Sequence, residues 1–134
     1  MSISYVNIYL YISKHYNMTI VKKLYKENRF NEALQVILKQ ARYTDDYNTY
    51  ASLCRWRNKL NVKIPENTYA TNLRIAILGS ATTEFIEGPL KLELETVNIG
   101  CNLFVSNYNT YVSEMLDENS DAALFEPNVA IFIL

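Results

Sequence analysis

Three apolar runs in the second half of the chain limit what it can fold into. Leu73-Arg74-Ile75-Ala76-Ile77-Leu78 ends in the polar turn Gly79-Ser80-Ala81-Thr82-Thr83-Glu84. Cys101-Asn102-Leu103-Phe104-Val105-Ser106 is the second run, and Asn128 to Leu134 is the third. Helical patterns separate them. Strands alternating with helices predict a parallel sheet, with any site at the carboxyl ends of its strands. The first run is apolar on both faces, as a central parallel strand should be. The chain terminates inside the third run, so the reading expects an incomplete sheet that continues elsewhere.

Between the runs, Gly88-Pro89 is expected to open a helix with Pro89 in its first turn. Leu90, Leu92, Leu94 and Val97 carry that helix, and Gly100 is expected to stop it. Tyr108 to Leu116 forms the next helix, with Tyr108 and Tyr111 packing it on the sheet. Asp117-Glu118-Asn119-Ser120 breaks it, and Glu126-Pro127-Asn128 leads into the last strand.

The first half reads differently. Leu34, Ile37, Leu38 and Ala41 form one stripe of a helix over Glu32 to Arg42, with Asn31 as its expected N-cap. Ile20, Val21, Leu24 and Tyr25 suggest a shorter helix upstream. Downstream, Thr44 is expected to cap a third helix, with Asp45 and Asp46 in its first turn. Tyr47, Tyr50, Ala51, Cys54 and Arg57 follow one side of it, and Leu53 and Leu60 extend that side. Asn61 is its stop. Residues 25–38 have the look of one tetratricopeptide unit, but no second copy exists to stack on it. A small helical bundle is therefore expected. The domain reading is a leader at 1–17, a helical region at 18–61, a linker at 62–72 and a partial α/β domain at 73–134.

Charge divides in the same place. Residues 1–70 hold 11 Lys and Arg against 5 Asp and Glu, whereas residues 71–134 hold 2 against 9. The basic residues are scattered over helix faces, which argues against nucleic-acid binding. No apolar stretch reaches the roughly 18 residues of a membrane helix. Residues 1–12 lack the basic start and the cleavage site of a secretory signal. Cys54 and Cys101 have no Cys or His at metal-ligand spacing, so a cytoplasmic protein with reduced thiols is expected.

The turn after the first strand is the main candidate site: Gly79, Ser80, Thr82 and Thr83 place hydroxyls and amides beside a helix start. A hydroxyl becomes a nucleophile only when a base reaches it. The single histidine, His15, lies in the leader. The same side chains serve equally as helix caps. Ser106-Asn107-Tyr108-Asn109-Thr110 follows the second strand and should lie beside the first turn. Asn107 and Asn109 either point amides into a shared crevice or cap the next helix. No glycine-rich phosphate loop and no carboxylate cluster for a metal are present. Glu93 and Glu95 read as solvent-facing helix charges.

The segments LRIAILGSATTEFIEGPLKLEL, YNTYVSEMLDENSDAALF and EPNVAIFIL resemble the amino-terminal domain of FkbH-like proteins of the haloacid-dehalogenase superfamily. The helical stretch RFNEALQVILKQARYTDDYNTYASLCRWRNKL resembles the region that precedes it. The resemblance implies a flavodoxin-like, SGNH-hydrolase-like three-layer fold followed by a dehalogenase-type phosphatase domain, which takes Mg2+. It also implies a role in loading a glyceryl unit onto an acyl carrier protein for polyketide-type biosynthesis. The Gly-Asp-Ser of an SGNH enzyme is Gly79-Ser80-Ala81 here. Aligning Thr83-Glu84 on the family's Thr-Glu puts Ala81 at the nucleophile, and Ser80 takes that place only after a one-residue shift. The glycine of the second block falls near Asn109. The blocks that carry the oxyanion asparagine and the base histidine would lie beyond Leu134.

The expectation is a catalytically silent positioning domain with no cofactor of its own. Its partners would be the phosphatase-type domain and an acidic carrier protein, steered by Lys22, Lys23, Lys26, Arg29 and Lys39. One alternative is an SGNH-type acyl hydrolase or transferase that uses Ser80 and is completed by further sequence. Another is an inactive product that oligomerises through an open sheet edge.

Overall fold

The computed structural model describes residues 18–64, 69–80 and 83–134. The expected leader with His15, and Pro65, Asn67, Thr68, Ala81 and Thr82, lie outside the described residues. The chain divides into two compact units, Met1–Glu66 and Asn67–Leu134.

The first unit is helical. Residues 18–26 form α1, Phe30–Tyr43 form α2 and Tyr47–Leu60 form α3. Asn28 ends α1 in the left-handed region at φ 60°, which asparagine tolerates better than most residues. The expected stripe on α2 is buried at Ala33, Leu34, Ile37, Leu38 and Ala41. Tyr25 meets Phe30 and Trp56 edge to face, each at 5.5 Å between centroids, and so joins α1 to α2 and α3.

Two caps differ from expectation. The helix α2 starts before Asn31, and its N-cap is Arg29. The Arg29 guanidinium bonds Glu32 through Nε at 2.8 Å and Nη2 at 2.6 Å, and Glu27 through Nη1 at 3.0 Å. This fork braces the first turn in place of a polar cap. The N-cap of α3 is Asp46, not Thr44. Its carboxylate accepts from the Thr49 amide at 2.7 Å, and the Thr44 hydroxyl accepts from the Asp46 amide at 3.3 Å. On α3, Leu53, Arg57 and Leu60 are buried, but Tyr47 is 83% exposed and leaves the expected stripe.

The second unit is α/β. Its elements are β1 Thr71–Gly79, α4 Glu84–Thr96, β2 Ile99–Val105, α5 Tyr111–Leu116, α6 Asp121–Leu124 and β3 Val129–Ile133. The strands form an all-parallel open sheet in the order β2-β1-β3. The register sets Ile75 beside Leu103 and Ile77 beside Ile131. Asn128 aligns β3: its amide donates to the Arg74 carbonyl at 2.7 Å, and its Oδ1 accepts from the Arg74 amide at 2.8 Å.

The two faces of β1 carry different layers. Ile75 and Ile77, with Cys101, pack under Ile86, Leu90 and Leu94 of α4. Ala76 and Leu78 pack under Ala122 and Tyr111 of the other layer. Helices on opposite faces follow from right-handed crossovers that run in opposite directions along the sheet, from β1 to β2 and then from β2 past β1 to β3.

The helix α4 begins five residues before Pro89, which therefore sits inside it rather than in its first turn. Proline in a helix interior costs about 3 kcal/mol or more. Each apolar side chain buried on the sheet returns about 1.5–3 kcal/mol. Ile86, Leu90 and Leu94 all pack against the sheet, partly buried, hence packing outweighs propensity. Gly100 does not stop this helix. Asn98, at φ 64°, takes the left-handed position, and its amide donates to the Glu95 carbonyl at 3.0 Å. Gly100 lies in β2, where a Cβ would collide with Asn72 Oδ1 and come within 2.8 Å of Tyr69 Cδ2. Val97 points to solvent, and Glu95, expected to face solvent, is 2% exposed. The short α6, capped by the Ser120 hydroxyl accepting from the Ala123 amide at 3.1 Å, was not expected.

Candidate functional site

The carboxyl ends of β1 and β2 lie side by side, as parallel pairing requires. Ser106, the residue after β2, joins the two turns. Its amide donates to the Ile77 carbonyl at 2.9 Å. Its hydroxyl accepts from the buried Gly79 amide at 3.3 Å. Ser106 is itself buried. The sequence places Ser106 at the head of the second turn without a role, although a serine closing an apolar strand is the signal that could have found one.

Gly79 is the last residue of β1 and pairs with Ile133. No described glycine has a positive φ, so Gly79 needs no special backbone freedom to leave the strand. Ser80 is half-buried, and its amide donates to the Ile133 carbonyl at 3.0 Å. That amide extends the β1–β3 ladder by one bond. Thr83 is buried at the N-cap of α4 but makes no side-chain cap bond; its carbonyl accepts from the Ile86 amide at 3.0 Å. The expected Thr83 hydroxyl cap is therefore not formed. Thr82 is outside the described residues.

The second turn is open to water. Asn107, Tyr108 and Asn109 are exposed, with Tyr108 away from the sheet it was expected to cover. Thr110, rather than either asparagine, is the N-cap of α5. The Asn107 carbonyl accepts from the Thr110 amide at 3.2 Å and from its hydroxyl at 2.9 Å. Asn109 supplies the left-handed residue at φ 57°. Tyr111 alone of the two tyrosines packs on the sheet side of its helix.

The two crossovers run in opposite directions and lie on opposite faces, so the switch point lies between β1 and β3, where doubly wound folds bind ligands. Gly79, Ser80 and Ile133 line it. Among the described residues, no group of three or more His, Cys, Asp or Glu is placed to hold a metal ion. The described residues therefore do not fit Mg2+. No described helix is long and apolar enough to cross a membrane.

Away from this end, Arg29 is held in its charged form by Glu32 and Glu27, and its hydrogen bonds keep the Glu32 carboxyl below the usual carboxylate range. Lys23 also lies 3.9 Å from Glu27. Lys22, Lys26 and Lys39 are exposed.

A search of solved structures returns the N-terminal part of the protein BF1531 from Bacteroides fragilis, which contains a phosphatase domain and was crystallised with Mg. The match has a TM-score of 0.52 and 25% sequence identity, and covers 63% of this chain. This chain corresponds to 21% of that one. No protein-family model matches the sequence, and no curated protein matches it. The relation shown is a loose one, to the N-terminal region of a phosphatase-domain protein.

Proposed function

We propose that this chain is a non-catalytic positioning domain that works beside a haloacid-dehalogenase-type phosphatase domain. One observation carries the reading: the polar groups at the carboxyl ends of β1 and β2 hold the strands together. The Ser106 hydroxyl accepts from Gly79 and the Ser80 amide extends the β3 ladder. A nucleophile needs a positioned base, and the sole histidine is remote in sequence from this turn. The similarity to a phosphatase-domain protein supports the choice of partner domain. The finer role is to present an acyl carrier protein to glyceryl transfer in polyketide-type biosynthesis, with Lys22, Lys26 and Lys39 steering the acidic carrier. Gly79, Ser80, Thr82, Thr83, Asn107 and Asn109 would then contact the acyl or glyceryl group weakly, through amides and hydroxyls.

Two assays on the 134-residue chain test this role. With p-nitrophenyl acetate, hydrolysis should not exceed background, and Ser80→Ala should change nothing. With a holo acyl carrier protein, titration should show binding that Lys22→Glu, Lys26→Glu and Lys39→Glu together weaken about tenfold. Turnover that Ser80→Ala abolishes would support instead the hydrolase or transferase reading, which the position of Ser80 at the switch point favours. Carrier binding unaffected by charge reversal would remove the steering role.

A further inference from the structure

One end of the helical unit gathers aromatic rings under two lysines. Tyr25 of α1, Phe30 of α2 and Trp56 of α3 meet edge to face there, and each ring is half-buried. Lys59 Nζ stands 4.3 Å from the centroid of Trp56, and Lys63 Nζ stands 5.8 Å from that of Phe30. Val62, between the lysines in sequence, is 86% exposed. Asn61 keeps helical dihedrals at φ −56°, ψ −39°, and the Lys63 and Ile64 amides donate to the Leu60 carbonyl at 2.9 and 3.1 Å. Lys63 therefore follows Lys59 by one helical turn, about 6 Å.

Charge selects what this surface holds. Among the described residues, neither Lys59 nor Lys63 pairs with a carboxylate. Glu27 and Glu32, the acidic residues at this end, are taken by Arg29 at 3.0 and 2.6 Å. Asp45 and Asp46 precede α3 at its other end. A ring face engages one side of an ammonium, and the remaining N–H donors are open to an anion. Residues 1–17 contain Lys14 and no Asp or Glu, so they do not supply it. Carboxylates at i and i+4 of a helix match the spacing of Lys59 and Lys63, and the aromatic cluster beside them suits an apolar stripe. We infer that this surface docks an acidic amphipathic helix of a partner protein, with Asp or Glu on Lys59 and Lys63 and an aliphatic stripe on Tyr25, Phe30 and Trp56. The inference goes beyond the carrier reading: Lys22, Lys26 and Lys39 have no part in it, and any acidic helix of this form satisfies it.

Trp56 is the only tryptophan, so its emission reports on this surface. The test titrates the 134-residue chain with a stapled helical peptide that carries a Leu stripe and Glu at i and i+4 along one flank. Emission should move to shorter wavelength as the peptide covers the ring. Moving the two Glu to the opposite face of the peptide should weaken binding about tenfold. Lys59→Gln with Lys63→Gln should do the same while circular dichroism stays unchanged. Tyr47→Ala, about 14 Å along α3 from Trp56, should leave binding intact. No spectral change at about 100-fold excess peptide, indifference to Glu placement or to the lysine pair, or a concentration-dependent shift without peptide would overturn the proposal; the last result would identify a second copy as the occupant. A shift given by equimolar phosphatidylcholine–phosphatidylglycerol vesicles and not by the peptide would also overturn it, in favour of an anionic membrane surface.

Discussion

The strands β1 and β3 are built from nearly the same residues, yet they live in different surroundings. Ile75, Ala76, Ile77 and Leu78 are all buried, whereas Val129, Ala130 and Phe132 are exposed. Both strands are apolar on two faces. The difference lies in neighbours: β1 has a strand on each side and a helical layer on each face, and β3 has one strand and partial cover. An apolar pattern therefore reports what a strand is suited for, and topology decides whether it is satisfied. The stripe on α2, by contrast, is buried as its pattern predicts.

Substitutions can break or sharpen this contrast. The largest effect should come from Ile77→Ala, at about 2–5 kcal/mol of lost stability in urea unfolding. Phe132→Ala, 45% exposed on the edge, should cost about 1 kcal/mol or less. Equal costs would mean that β3 is as enclosed as β1. Next, Ser106→Ala should cost about 1–3 kcal/mol by removing the acceptor of the buried Gly79 amide, and should speed exchange at that amide. Gly100→Ala should cost about 1–3 kcal/mol, because Asn72 and Tyr69 must shift to admit the methyl group. Asp46→Ala should cost about 1 kcal/mol through loss of the α3 cap.

The smallest effect belongs to the exposed Arg29–Glu32 pair. The folded Glu32 carboxyl lies below its unfolded value near 4.3, so the pair's contribution is present above that pH and is lost as pH falls through the folded value. Glu32→Gln should lower the melting temperature only slightly at pH 7, and the difference should vanish at pH 2 and shrink in 1 M NaCl.

Much of the sheet was legible in the sequence. The three runs alternate with helices because parallel strands need crossovers, and burial of β1 on both faces leaves no polar period there to confuse the pattern. The parallel pairing and the adjacency of the first two turns follow from that. What failed was local. Pro89 and Gly100 were read by propensity alone, whereas the packing of α4 and the crowding at Asn72 decide their positions. Asn31 and Thr44 are good caps in isolation, but Arg29 with its two carboxylates and Asp46 displace them. At the candidate site, Ser80 and Thr83 were legible as hydroxyls at a strand end. Ser106 was legible as the residue closing the second strand, but its acceptor role was not, since that depends on the neighbouring strand. The exposure of β3 was likewise hidden, because a run of Val, Ala, Ile and Phe reads as core until the strand order is known.

The most direct measurement is residue-resolved amide exchange on the dilute 134-residue chain. Amides of β1, from Ile75 to Leu78, should exchange at the slowest rates in the α/β unit, and those of Ala130 and Phe132, which face away from β1, should exchange at least about a hundredfold faster. Equal protection of these amides in a dilute monomer would contradict a parallel sheet in which β1 has a strand on each side and β3 has one.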